Sequence, residues 1–201
     1  MYLARLRLNK SRMALGWCAN PYRVHQRLAM ACPKDSRLLF RLEDTPDGMQ
    51  ILMQSHIPPN WDLAFGEFQV LNGAPEFKPI NPQLVAGRCY RFRLLANPTV
   101  KRDGKRLGLL REQEQRVWLE RKLEQAGAKV LGCAVSGRGL QRSQKNPVKE
   151  AEPQTHLAVL FQGALLVRDP ALVLAAIQNG IGAAKGYGFG LLSLAPAALS
   201  D

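Results

Sequence analysis

No stretch of this 201-residue chain approaches the roughly 20 consecutive apolar residues of a membrane-spanning helix. The opening MYLARLRLNKSR also lacks the apolar run and small-residue cleavage site of a secretory signal, so a cytoplasmic protein with no membrane association is expected. Cysteine is scarce. Cys18, Cys32, Cys89 and Cys133 are scattered without any C-x-x-C spacing, which excludes a zinc knuckle or a disulfide framework and leaves reduced interior thiols. Three histidines with no neighbouring cluster of Asp or Glu give no ligand set for a metal, and none is expected. Acid is in short supply too: 28 Lys and Arg stand against 16 Asp and Glu, a net charge of +12 that points to a polyanionic partner. The shortage is local. Residues 88–149 hold sixteen basic and five acidic side chains, residues 153–201 two of each, and SGRGLQRSQKNPVK (136–149) has no acid at all.

What is present is 46% hydrophobic, enough for a substantial core, and its periodicity changes along the chain. Tyr2, Ala4, Leu6 and Leu8 alternate with Leu3, Arg5 and Arg7, and Tyr90, Phe92, Leu94 and Ala96 alternate with Arg91, Arg93 and Leu95; both stretches read as half-buried strands. Asn20 as cap with Pro21 behind it starts a helix over 21–31. Strands follow at 37–43 and 49–55 across the turn TPDG, then a short helical piece at 61–65 and strands at 66–71 and 76–80. NPQLVAG (81–87) is a linker. Beyond it, DG at 103–104 predicts a basic hairpin, 112–126 a helix closed by Gly127, 129–135 a strand, and 136–149 a basic loop. A strand at 156–168, a helix begun by Asp169 and Pro170 and ended by Gly180, and a last strand LLSLA complete the chain. Each half is thus a βαββαβ unit, and the expected fold is α+β, two tandem ferredoxin-like (RRM-like) domains over 1–84 and 85–201.

The segment GIGAAKGYGFGLLSLAP raises the functional question. It is no P-loop, because a helix precedes it and neither Ser nor Thr follows Lys185. It is no dinucleotide fingerprint, since Lys185 stands where the third glycine is required. KGYGF matches the opening of an RRM motif, but it enters the final strand and Gly190 replaces the expected Val, so the match is accidental. What remains is a loop in which Gly180, Gly182, Gly186, Gly188 and Gly190 let backbone N–H groups approach a phosphate, with Lys185 as a point charge. On the helix at 21–31, Tyr22 and His25 share a face at the flank of the buried stripe Val24, Leu28 and Ala31, near a helix N-terminus that favours phosphate.

GIGAAKGYGFGLLSLAP, YRVHQRL, FRLLANP, EQRVWLERKL and MYLARLRL together resemble the CasE family, the CRISPR precursor-RNA endoribonucleases of type I-E Cascade complexes and part of a larger group of repeat-associated RNA-binding proteins. The resemblance runs from first strand to last. It implies two tandem ferredoxin-like domains, a prokaryotic cytoplasmic setting, a CRISPR repeat hairpin as substrate, other Cascade subunits as partners and no cofactor. It also implies that Tyr22 and His25 carry a metal-independent transesterification that yields a 2′,3′-cyclic phosphate. Arg23, Arg27 or Lys185 would neutralise the charge on phosphorus. Lys101, Arg102, Lys105 and Arg106 in the basic hairpin, with Arg138, Arg142, Lys145 and Lys149 in the acid-free stretch, are the groups placed to grip an RNA stem. The competing expectations are a binding-only subunit of such a complex and a general RNA-binding protein. Retention of both Tyr22 and His25 favours the nuclease.

Overall fold

The computed structural model describes residues 1–33, 35, 37–144 and 154–197. The chain separates into two compact units: Met1–Asn81 with Arg142–Thr155 and Lys185–Gly188, and Pro82–Gln141 with His156–Ala184 and Phe189–Asp201.

In the first unit the alternation at the N-terminus becomes β1 (Tyr2–Arg7), followed by α1 (Arg12–Cys18), α2 (Pro21–Ala31), β2 (Leu39–Thr45), β3 (Gly48–Ser55), α3 (Trp61–Phe65) and β4 (Glu76–Pro79). The four strands pair antiparallel in the order β2-β3-β1-β4. Ala4 and Leu6 lie opposite Met53 and Ile51, and all four are buried with the Val24, Leu28 and Ala31 stripe of α2 and with Phe40. Fully burying a side chain of this size stabilises by about 1.5–3 kcal/mol, so α2 is held on the sheet by its stripe and not by its propensity alone. On the opposite sheet face, Glu76 bridges Arg5 and Arg7, and Glu43 pairs with a buried Arg41.

Two features depart from the sequence pattern. The helix α1 is one: Ser11 caps it by accepting from the Ala14 N–H at 3.1 Å, and Trp17 is buried edge-on to Phe65 and Phe68. The other is the segment 66–71, which is not a strand. Gly66 closes α3 by donating to the Asp62 carbonyl, Val70 donates to Phe68 within a turn, and only a Leu8–Leu71 bridge joins the segment to the sheet.

The second half contributes β5 (Cys89–Ala96), β6 (Thr99–Arg102), β7 (Lys105–Gly108), α4 (Glu112–Gln125), β8 (Ala128–Ser143), β9 (Gln154–Val167), α5 (Pro170–Asn179), a 3₁₀ turn at Lys185–Tyr187 and β10 (Leu192–Pro196). Its sheet order is β10-β5-β9-β8. Phe92, Leu94, Phe161 and Leu165 of the sheet, Leu119 and Leu123 of α4 and Val173 and Ile177 of α5 are all buried, and Trp118 of α4 stacks on Phe161 at 6.1 Å. Numbered within each sheet, both orders are 2-3-1-4, so the chain is α+β with two tandem ferredoxin-like domains.

β8 is longer than its apolar pattern implied. It runs 16 residues to Ser143 beside β9, so Arg138 and Arg142 stand on a strand and not in a loop, their backbone polar groups taken up by a ladder. Cys18 and Cys32 are buried, which pushes the Cys18 thiol up to about 12 and raises Cys32. Cys89 and Cys133 are only half-buried, Cys89 because it occupies an odd position of β5 on the face away from the core.

Candidate functional site

Asn20 fixes the start of α2 from two sides: its Oδ1 accepts from the Tyr22 N–H at 3.3 Å, and its Nδ2 donates to the Gln144 carbonyl at 3.0 Å. Pro21 supplies the first helical residue without an N–H to satisfy. With the Val24 and Leu28 stripe turned into the core, the adjoining flank of α2 presents Tyr22 and His25, their rings 6.3 Å apart. His25 lies parallel to Phe40 of β2, with centroids 6.2 Å apart and planes at 16°.

The 3₁₀ turn Lys185–Tyr187 closes over this flank. A Cβ on Gly186 would stand 3.5 Å from His25 Cδ2 and 3.6 Å from Nε2, so the glycine backbone comes within contact range of the imidazole. The Tyr187 ring lies 5.6 Å from that of Tyr22, and its hydroxyl hydrogen-bonds Gln154 Oε1 at 2.5 Å. Gly188 donates back to the Lys185 carbonyl, and it adopts φ +85°, a left-handed conformation natural to glycine. Gly180, Gly182 and Gly190 share positive φ, whereas Gly186 does not; its place depends on closeness to His25. Tyr187, flanked by Gly186 and Gly188, thus reaches the same locus as Tyr22 and His25.

Burial lowers the His25 pKa below its ordinary 6.5, which makes the neutral imidazole the resting form at pH 7. Its Nδ1 is buried without a hydrogen-bond partner among the described residues. An unpaired buried polar atom costs about 1–3 kcal/mol. The Tyr187 phenol is raised, first by burial and then by the neighbouring Tyr22. Among the described residues no group of three His, Cys, Asp or Glu side chains is placed to hold a metal ion.

The other sequence-selected residues fall elsewhere. Arg23 and Arg27 lie about 160° around α2 from His25. Arg27 donates to the Ala64 carbonyl at 3.2 Å with its guanidinium 4.4 Å above the Phe68 ring, and both arginines line a groove with Arg12 and Trp17. Neither is brought to His25. Lys101, Arg102, Lys105 and Arg106 are all exposed on the β6–β7 hairpin, whose tip Asp103–Gly104 has φ +47° and +75°, the type I′ geometry. Register sets Lys101 opposite Arg106 and Arg102 opposite Lys105. Directly opposed like charges destabilise a hairpin, so this arrangement is at ease only beside a polyanion. Arg138 and Arg142 are exposed on β8, while Lys145 and Lys149 lie outside the described residues. His156 has Nδ1 3.2 Å from Asn97 Nδ2 and packs edge-on against Phe189.

Sequence reasoning missed Phe40, Tyr187 and Gln154. Tyr187 carried a signal, as an aromatic inside the singled-out glycine segment; the other two are joined to the site only by the fold.

Two ferredoxin-like units, a tyrosine–histidine helix face under a glycine-rich turn, and an exposed basic hairpin define the class: a basic tandem ferredoxin-like protein with a histidine-centred site. The chain belongs to the family described as CRISPR associated protein, which it matches over residues 1–196. It is 37% identical to the CRISPR-associated endoribonuclease Cse3 of Thermus thermophilus over 98% of this chain and 100% of the relative. It is 34% identical to the CRISPR system Cascade subunit CasE of Escherichia coli over 94% of this chain and 98% of the relative. A solved structure of CRISPR endoribonuclease Cse3 bound to a 19-nucleotide RNA superposes with a TM-score of 0.84 at 35% identity, covering 98% of this chain and 100% of that one. No helix among the described residues is long and apolar enough to cross a membrane.

Proposed function

We propose that the chain is a CRISPR endoribonuclease that binds the hairpin of repeat RNA, cleaves the precursor into guide RNA and works in the cytoplasm as a subunit of a Cascade assembly. The observation that carries this reading is the convergence of Tyr22, His25, Gly186 and Tyr187, with a neutral imidazole at the centre. The relatives' names and the RNA held by one of them support it. In this reading the catalytic helix belongs to an N-terminal domain over 1–84, and a domain over 85–201 supplies the grip.

The nucleophile is the substrate's own 2′-hydroxyl. Its oxygen forms a bond to the adjacent phosphorus, the bond from phosphorus to the 5′-oxygen breaks, and a 2′,3′-cyclic phosphate remains. The neutral His25 is the form able to accept the 2′-hydroxyl proton, and the Tyr22 hydroxyl is a donor for the departing oxygen. Each such group typically contributes about 10²–10⁴ in rate. Lys185 at the head of the 3₁₀ turn offers the cation for charge building on phosphorus. Every step uses a group of the chain or the substrate, so no metal is invoked.

The test is single-turnover cleavage of the cognate repeat hairpin in EDTA. Cutting of the all-ribose hairpin together with tight binding but no cutting of a hairpin with 2′-deoxyribose at the scissile position is the expected pair of results. Wild-type protein that binds the hairpin and leaves it whole is a binding subunit, and the Tyr22 and His25 assignment goes with it.

For the grip, the double substitution Lys105→Glu and Arg106→Glu is expected to weaken hairpin binding by at least about tenfold and to flatten the dependence of affinity on salt, because fewer counterions are released. Affinity titrations at several salt concentrations check this. An unchanged slope removes the β6–β7 hairpin from the RNA interface.

A further inference from the structure

The two sheets treat equivalent arginines differently. Arg5 and Arg7 on β1 share Glu76, so their charge on the open face of the first sheet is partly offset from within. Arg91 and Arg93 occupy the corresponding positions of β5, on the face turned away from Tyr90, Phe92 and Leu94, and β5, β8, β9 and β10 contain no Asp or Glu. Arg91 is exposed and has no ion pair among the described residues. The side chains beside the two arginines are small or uncharged: register places Ala164 and Gln162 on one side and Ala195 and Ser193 on the other. Together they line an open trough of about 690 Å³.

We infer that this trough is a second RNA-binding surface, for a single-stranded segment that flanks the hairpin. The inference rests on the reading of RNA as ligand. Arginines at i and i+2 of a strand project about 6.6 Å apart on one face, a spacing that suits successive phosphates of an extended chain. Small neighbours leave the backbone room to lie along the strand. Of the aromatic residues in the sheet, Tyr90, Phe92 and Phe161 are buried on the core side, so the face offers charge without a stacking platform and holds phosphates irrespective of base. The basic hairpin begins at Thr99, three residues after β5 ends at Ala96, so an RNA gripped there leaves its flank within roughly 20 Å of Arg93 along the strand.

The test compares affinities of two RNAs made uncleavable by 2′-deoxyribose at the scissile position: the hairpin alone, and the hairpin with a short uridine flank on its 5′ or its 3′ side. Wild-type protein is expected to bind one flanked RNA at least about fivefold tighter than the bare hairpin, with a salt slope steeper by about 1.4, the value for two phosphates of a single strand. Arg91→Gln with Arg93→Gln is expected to remove both gains while leaving affinity for the bare hairpin, and cleavage of its all-ribose form, as in wild type; Arg91→Lys with Arg93→Lys keeps the charge and most of the gain. A wild type indifferent to both flanks overturns the inference, as does a flank gain that survives the glutamine pair. So does a glutamine pair that keeps the flank gain but fails to assemble with the other Cascade subunits, which makes the face a protein interface. Loss of bare-hairpin binding by wild type is a failure of the parent reading and is seen in its own arm.

Discussion

Replacing His25 with alanine is expected to slow single-turnover cleavage of a repeat hairpin by about 10²–10⁴-fold while hairpin affinity stays within about twofold of wild type. The asymmetry follows from the site. His25 is half-buried at the flank of the α2 stripe, stacked on Phe40 and covered by Gly186, so the ring has little area to offer an RNA stem but is held where a proton can be exchanged. The core residues Val24 and Leu28 stay in place, which keeps the helix on its sheet. The pH profile sharpens the test. Burial holds the wild-type pKa below 6.5, so an acceptor role predicts a rate that is full at neutral pH and declines as pH falls through that lowered pKa. The residual rate of the alanine variant should lack this limb. Affinity and cleavage falling together would mean that His25 holds RNA and does not transfer a proton.

Gly188→Ala is expected to destabilise the protein by about 2–3 kcal/mol and to slow cleavage by at least about tenfold. A side chain at φ +85° costs roughly 1–2 kcal/mol. The new methyl would stand 3.2 Å from Phe40 Cε2, and Phe40 is fully buried and cannot yield without moving the imidazole stacked on it. Gly73→Ala is the control: φ is +86° there, but nothing lies within 4 Å of the added carbon. Thermal melts should show the control losing only the backbone contribution, and cleavage by the control should match wild type. Equal losses of cleavage in both variants would show that Phe40 does not transmit the change to His25.

Much of this was legible because local chemistry and fold agree. Asn20–Pro21 and Asp169–Pro170 announce α2 and α5, and in both the cap side chain accepts from backbone N–H groups two or three residues on. Asp103–Gly104 announces the β6–β7 turn in the same way. The illegible parts are those decided by partners distant in sequence. SGRGLQRS looks like a loop, with two glycines and no apolar alternation, and becomes strand only because β9 lies beside it. Phe68 and Val70 mimic a strand by alternation, yet Gly66 and the turn bonds at Phe68 and Val70 consume the backbone groups a ladder would need. α1 has seven residues, too short for its periodicity to stand out. At the site, Tyr22 and His25 were visible because they share one helix. Tyr187 lies in the glycine segment, but its meeting with Tyr22 could not be read, since 165 positions separate the two and no local pattern spans such a gap; Gln154 carried no signal at all.

The discontinuity of the first unit also fixes when the site can exist. Its compact body gathers Met1–Asn81 with Lys185–Gly188, so a nascent chain that has emerged only through its first half possesses Tyr22 and His25 but neither the glycine that covers the imidazole nor the tyrosine beside Tyr22. Domains fold from the N-terminus as synthesis proceeds at about 5–20 residues per second, so the helix is in place for several seconds before its cover arrives. During that interval a ribosome-tethered fragment can fold without being armed.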